Sequence, residues 1–184
     1  TLSSKLKDVK KDLQPIADRF NGKLKARIKE VKELNKKINK GIKPENISDY
    51  LGTRISVNSI MDAKMLINDL NKIVKFLSID DFLDDGSEYR AIHAQVLTKD
   101  GFSFELQVRL IDLDPLTEKS HAIYKKVKFP EKEYTDAEFK KILKEQKSIN
   151  KKLKAKYFEI KDKEFLKLKT DDPLDQPIPI GQRI

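Results

Sequence analysis

YRAIHAQVLTKDGFSFELQVRL, residues 89–110, holds two runs in which apolar and polar residues alternate, joined by Thr98-Lys99-Asp100-Gly101. Asp-Gly between alternating runs is a strong hairpin signal. In the hairpin Ile92, Ala94 and Val96 share a face with Phe102, Phe104, Leu106 and Val108, which makes that face the core side. The other face carries Tyr89, His93, Gln95, Glu105, Gln107 and Arg109. A polar face this rich in titratable and hydrogen-bonding groups is where chemistry is expected.

Upstream, Ile55 and Val57 alternate with Arg54 and Ser56, so residues 53–57 read as a strand whose Arg54 and Ser56 join the polar face if it enters the same sheet. A further strand is expected over 74–79 and a helix over 60–73 through Met61, Met65, Leu66 and Leu70. Leu24, Ile28, Val31, Leu34 and Ile38 recur at spacings of three and four, which predicts one amphipathic, densely basic helix over 23–40. Residues 1–20 predict a shorter helix around Leu2, Leu6, Val9 and Leu13 that ends near Pro15, because proline removes a helix donor. Downstream, 115–127 reads as helix, and Thr135-Asp136-Ala137-Glu138 is a capping box opening a long helix through Phe139, Ile142, Ile149, Leu153 and Tyr157. The expected division is a helical segment over 1–22, a core over 23–130, a helical extension over 131–170 and an extended tail over 171–184, where Pro and Gly are frequent.

The chain has 184 residues with 39 Lys and Arg against 30 Asp and Glu, a formal charge of +9, so an anionic partner is expected: nucleotide, nucleic acid or acidic surface. Cysteine is absent, which excludes disulfides, thiolate metal sites and cysteine nucleophiles. No apolar run approaches a membrane span and no membrane partner is expected. Neither a Gly-x-x-x-x-Gly-Lys-Ser/Thr loop nor a Gly-x-Gly-x-x-Gly fingerprint occurs.

Asp49, just ahead of a strand, and Glu105, mid-strand on the polar face, form a carboxylate pair suited to Mg²⁺, a hard cation that takes oxygen ligands and often shares them with substrate phosphates. The plainer alternative is a Glu105 that simply faces solvent. Arg27, Lys29 and Lys37 offer the cations a triphosphate needs, or a solvated basic face. Tyr89 offers a ring for a base and His93 a contact to phosphate or sugar.

Taken in order, these pieces resemble the synthetase domain of RelA/SpoT alarmone enzymes over roughly residues 23–128. Arg27-Ile28-Lys29 followed by Lys37 resembles the family's Arg-x-Lys element, and Asp49-Tyr50-Leu51-Gly52-Thr53-Arg54-Ile55 its Asp-x-x-x-x-Arg-Ile segment. Glu88-Tyr89-Arg90-Ala91-Ile92-His93 is similar to Gly-Tyr-Arg-Ser-Leu-His, and Glu105-Leu106-Gln107-Val108-Arg109 to Glu-Ile-Gln-Ile-Arg. His121 with Tyr124-Lys125 matches a later His-x-x-Tyr-Lys helix.

The resemblance implies an α/β (α+β) domain with a nucleotidyltransferase-like mixed sheet of four to five strands, helices on one face and the substrate cleft on the other. It implies ATP held by Arg27, Lys29, Lys37 and Arg54, Arg27 stacking on adenine, with Asp49 and Glu105 as Mg²⁺ ligands and Glu105 also serving the acceptor hydroxyl. The acceptor side would comprise Tyr89, His93, Gln107, His121 and Tyr124. The implied reaction moves pyrophosphate from ATP to the 3′-hydroxyl of a purine nucleotide in the cytoplasm. Asp85-Gly86-Ser87-Glu88 departs from the family's Lys-x-Asn-Gly before the tyrosine, which tilts the expected acceptor towards ADP, ATP or AMP, with GDP or GTP close behind. A tRNA acceptor, a basic RNA-binding module, and a toxin countered by an immunity or antitoxin protein stand as alternatives. Nothing resembles the His-Asp hydrolase domain of the long family members, so synthesis alone is expected.

Overall fold

The computed structural model describes residues 1–44, 47–85 and 89–170. Its centre is a five-stranded mixed sheet in the order β1-β2-β5-β4-β3. The strands are β1 (Lys23–Ile28), β2 (Leu51–Val57), β3 (Lys75–Asp81), β4 (Ile92–Leu97) and β5 (Ser103–Leu110). β2 and β5 run parallel while the other neighbouring pairs are antiparallel. The hairpin is β4 and β5, with Gly101 at φ +82 in the turn, a conformation that glycine adopts without a Cβ clash. Ile92, Ala94, Val96, Phe104, Leu106 and Val108 are all buried, as their alternation predicts.

Among the described residues five α-helices flank the sheet: α1 (Leu2–Arg19), α2 (Val31–Ile38), α3 (Ile60–Leu70), α4 (Asp114–Lys128) and α5 (Asp136–Thr170). α1 and α3 contribute Val9, Leu13, Ile16, Ala63, Leu66 and Leu70 to the core under the sheet. Leu153, Tyr157 and Ile160 of α5 complete that cluster. The capping box forms as its sequence predicts: Thr135 N–H donates to Glu138 at 2.9 Å and Glu138 N–H to Thr135 Oγ1 at 3.2 Å. No helix among the described residues is long and apolar enough to cross a membrane.

Two expectations need correction. The single helix over 23–40 is instead strand β1, a break, and the short helix α2. Leu24 and Ile28 are four apart, a spacing that is one helical turn but also an even number, so it places both on one face of a strand equally well. Along β1 exposure alternates residue by residue, and pairing with β2 supplies backbone bonds that a free helix would have to make alone. The first helix also runs through Pro15 to Arg19 rather than stopping there. An internal proline costs about 3 kcal/mol, but Ile16 and Ala17 continue the buried Val9–Leu13 face, and burying Ile16 offsets roughly 2 kcal/mol of that cost.

The expected tail over 171–184 and the departure at Gly86, Ser87 and Glu88 lie outside the described residues.

Candidate functional site

The polar face of the sheet gathers the candidate residues by register. In the parallel β2–β5 pair Gly52 stands opposite Glu105, Arg54 opposite Gln107 and Ser56 opposite Arg109. Across β4–β5, His93 stands opposite Gln107. Asp49 precedes β2 and is held over the sheet through its neighbour, because the Ser48 carbonyl accepts from Ser103 Oγ at 2.6 Å and from Gln95 Nε2 at 3.0 Å. Both donors belong to the hairpin, so the loop bearing Asp49 is pinned to the strands that bear Glu105.

Lys29, one residue past β1, joins the two carboxylates. Its Nζ lies 2.6 Å from Asp49 Oδ2 and in hydrogen-bonding contact with Glu105 Oε2. To reach β5 the lysine must cross β2, and it does so at Gly52, where a Cβ would already stand 3.5 Å from Lys29 Cε. Lys37 of α2 donates to both oxygens of Asp49 at 2.5 Å. Gln107 Nε2 donates to Glu105 Oε1 at 2.8 Å, and His93 Nε2 lies 3.3 Å from the same oxygen. Thr53 Oγ1 fixes the backbone beneath by donating to the Glu105 carbonyl at 2.7 Å.

Burial by itself would raise the Glu105 carboxyl, yet the His93 contact, the Lys29 charge and hydrogen bond, and the Gln107 hydrogen bond hold it well below the usual carboxylate range. For Lys29 burial works against the ammonium, but the Glu105 and Asp49 carboxylates outweigh it and raise its pKa. Lys29 is thus the cation shared by the two carboxylates. Two carboxylate oxygens so close together fit Mg²⁺, which takes oxygen ligands and usually completes its shell with water and substrate phosphates. No group of three or more His, Asp or Glu able to hold a metal occurs among the described residues, so an ion here would depend on those phosphates.

Around the pair lie further cations. Arg27 on β1 makes a two-pronged pair with Glu33 of α2 at 2.7 and 2.9 Å; its hydrogen bonds hold the Glu33 carboxyl down to about 2. Arg27 and Lys29 thus reach the site from a strand and its end, not from the helix expected for them. Arg54 on β2 pairs with Glu118 of α4. Beyond Arg54 the face opens into a cavity of about 500 Å³ lined by Lys23, Lys25, Arg54, Ser56, Asp114 and Glu118 among others.

Of the residues expected on the acceptor side, Tyr89 packs edge-on against Phe82 with ring centroids 5.9 Å apart, and burial pushes its phenol up while the Arg109 charge pulls it down. His121 is stacked on Tyr124 at 6.3 Å; burial, then the charges of Lys125 and Arg109, keep its imidazole pKa low and favour the neutral form. Tyr124 sits farther out, 39% exposed, with Lys128 Nζ 5.1 Å from its ring centroid, and it makes no hydrogen bond or ion pair to the carboxylates among the described residues. The sequence reading assigned no role to Glu33, Glu118 or Arg109. Arg109 had a signal, the two-residue period from Glu105; the two glutamates had none until the helices were placed.

Known proteins resemble this chain in sequence and in fold. Guanosine-3′,5′-bis(diphosphate) 3′-pyrophosphohydrolase of Spiroplasma citri is 25% identical over 183 residues, which cover 97% of this chain and 23% of that protein. The chain thus spans less than a quarter of that relative's length. Among solved structures, small alarmone synthetase 2 of Bacillus subtilis superposes with a TM-score of 0.71 at 17% identity, covering 90% of this chain and 94% of that one. Small alarmone synthetase 1 of Bacillus subtilis bound to its product pppGpp gives 0.67 at 20% identity over 87% and 91%. At such identities these two speak for the fold. The family model described as the region found in RelA / SpoT proteins matches residues 26–128, more than half of the chain, and the chain belongs to that RelA/SpoT family.

Proposed function

We propose that the chain is an ATP-dependent pyrophosphokinase that transfers the β,γ-pyrophosphate of ATP to the 3′-hydroxyl of a purine nucleotide. The observation that carries this is the Asp49–Glu105 pair gathered on Lys29 and ringed by Lys37, Arg27 and Arg54. A surface that only bound a polyanion would gain nothing from two converging carboxylates, which repel phosphate unless a cation intervenes. The family membership and the alarmone synthetases of like fold support the same class of reaction.

Asp49 and Glu105 would hold Mg²⁺, which when bound supplies charge neutralisation across the phosphates. The chain's own groups do the rest. Lys29 and Lys37 turn from the carboxylates to the incoming phosphates, while Arg27 and Arg54 hold the nucleotide on β1 and β2. Glu105, whose Oε1 also meets Gln107 and His93, is the base of the pair. It then takes the proton of the acceptor 3′-hydroxyl as that oxygen bonds to the β-phosphorus. The bond from the β-phosphorus to the α,β-bridging oxygen breaks, and AMP leaves with that oxygen. Gln107 and His93, both on Glu105 Oε1, orient the carboxylate, and Tyr89 would offer its ring to the acceptor base.

For the acceptor, an adenosine nucleotide is favoured over a guanosine nucleotide, because Asp85, Ser87 and Glu88 replace the guanosine-associated loop of the family. The test is to incubate the protein with labelled ATP, Mg²⁺ and each of ADP, GDP, GTP and tRNA, and to identify the labelled product. Transfer to a nucleotide 3′-hydroxyl with release of AMP is expected. Label on tRNA alone, or no transfer with any acceptor, would sink the reading; a preference for GDP over ADP would sink only the adenosine assignment.

A further inference from the structure

Arg109 is 5% exposed, buried on the polar face of β5 two residues beyond Gln107 and beneath the first turns of α4. Its Nε and one terminal nitrogen both donate to Gln107 Oε1, at 3.0 and 2.7 Å. The other terminal nitrogen donates to Glu118 Oε1 at 2.8 Å and lies 3.9 Å from Asp114. Glu118 in turn accepts from Arg54. One guanidinium therefore links, in sequence, the donor-side Arg54, Glu118, Gln107 and Glu105.

The geometry leaves the Gln107 amide one orientation. With its oxygen between two N–H groups of Arg109, its nitrogen faces Glu105 and donates at 2.8 Å. Turned over, it would set N–H against N–H at Arg109 and an oxygen lone pair against the carboxylate at Glu105, losing both contacts at once. A lysine in place of Arg109 would keep the charge opposite Asp114 and Glu118 but lack the planar fork that grips one oxygen twice.

We infer that Arg109 is a positioning residue: acting through Gln107 it fixes the direction in which Glu105 faces, and through Glu118 it ties that carboxylate to Arg54. This rests on the pyrophosphokinase reading for its catalytic consequence, though the hold on Gln107 does not. A carboxylate that must accept a proton from one hydroxyl needs its direction set to within a few tenths of an ångström, so a device that sets it acts on turnover more than on substrate binding.

The test compares Arg109→Lys, Gln107→Leu and the double variant. Each single change is expected to lower kcat about tenfold or more with the ATP KM within about threefold, and the double variant to be no slower than the slower single one, since both remove the same link. A near-normal Arg109→Lys would overturn the inference, because a buried charge that merely balances Asp114 and Glu118 survives that change. Losses that multiply would overturn it as well, because they describe two independent roles.

A second measurement needs no turnover. The Gln107 side-chain amide, assigned by its loss in Gln107→Leu, is expected to exchange its protons with solvent about tenfold faster in Arg109→Lys than in the wild type. Unchanged exchange would overturn the inference whatever the kinetics. A wild-type protein that transfers pyrophosphate to no acceptor would sink the proposed activity instead, and amide exchange would still decide whether Arg109 holds Gln107.

Discussion

Lys29 Nζ lies 2.6 Å from Asp49 Oδ2 and touches Glu105 with the same ammonium, so a side chain stands between the carboxylates. On the proposed reading a divalent ion would compete with the lysine for the same oxygens. Replacing Lys29 by Met should leave Glu105 without its ammonium and Asp49 with Lys37 alone, which destabilises the fold while strengthening the attraction for a dication. Titrating the nucleotide-free proteins with Mn²⁺ is expected to give affinity about tenfold higher in the variant, with a larger metal-induced rise in Tm than in the wild type. Equal affinities would mean that the ammonium does not stand in the ion's place.

Asp49→Asn and Glu105→Gln each remove one negative charge from the pair at nearly constant size. Transfer should fall several hundredfold or more in each, on the order of 3 to 4 kcal/mol in the barrier, while circular dichroism stays that of the wild type. Near-normal turnover in both variants would show the carboxylates to be bystanders.

Arg27 and Lys40 share the basic stretch but not their surroundings. Arg27 faces the cleft from β1 and is gripped by Glu33, whereas Lys40 lies with its Nζ 4.1 Å from the Phe129 ring centroid. Arg27→Ala should raise the KM for ATP on the order of tenfold and Lys40→Ala hardly at all, because a guanidinium stacked on a base depends on geometry that a diffuse basic face does not. Small, equal effects would favour the solvated face.

How far the sequence carried depends on which period a segment writes. The β4–β5 hairpin was legible because its alternation and its Asp-Gly turn point to the same structure, and with it came the polar face bearing His93, Glu105, Gln107 and Arg109. β1 was misread because Leu24 and Ile28 satisfy strand and helix periods together, and only pairing with β2 distinguishes them. Asp49 and Glu105 were recognisable as a pair, but not the lysine between them: its reach across Gly52 depends on strand order, which no local pattern records. Glu33 and Glu118 are ordinary helix carboxylates in sequence. Their partners Arg27 and Arg54 become evident only when α2 and α4 are set against the sheet.

The docking of α5 yields a pH prediction remote from the cleft. Asp84 accepts the Tyr157 hydroxyl and faces Lys64 at 2.9 Å and Lys161 at 3.4 Å; Arg90, with its guanidinium carbon 4.7 Å from the Tyr157 ring centroid, Lys161 at 6.0 Å and the Asp81 carboxylate also bear on that tyrosine. The Tyr157 hydrogen bond first, then that of Lys64, hold the Asp84 carboxyl down to about 2 against a burial that pushes it up. A carboxyl depressed in the folded state stabilises that state above its unfolded pKa of about 4, and the contribution fades as pH falls from there towards 2. Asp84→Asn should therefore narrow the difference in Tm between pH 6 and pH 3, and Tyr157→Phe should narrow it by less, since the lysines remain. The gap should not close, because Glu33, Glu105 and Glu118 are depressed as well and lose their partners over the same acid range. Asp84 is 43% exposed, so solvent screens the effect and its size stays modest. An undiminished gap in Asp84→Asn would mean that the aspartate contributes no pH-dependent hold on α5.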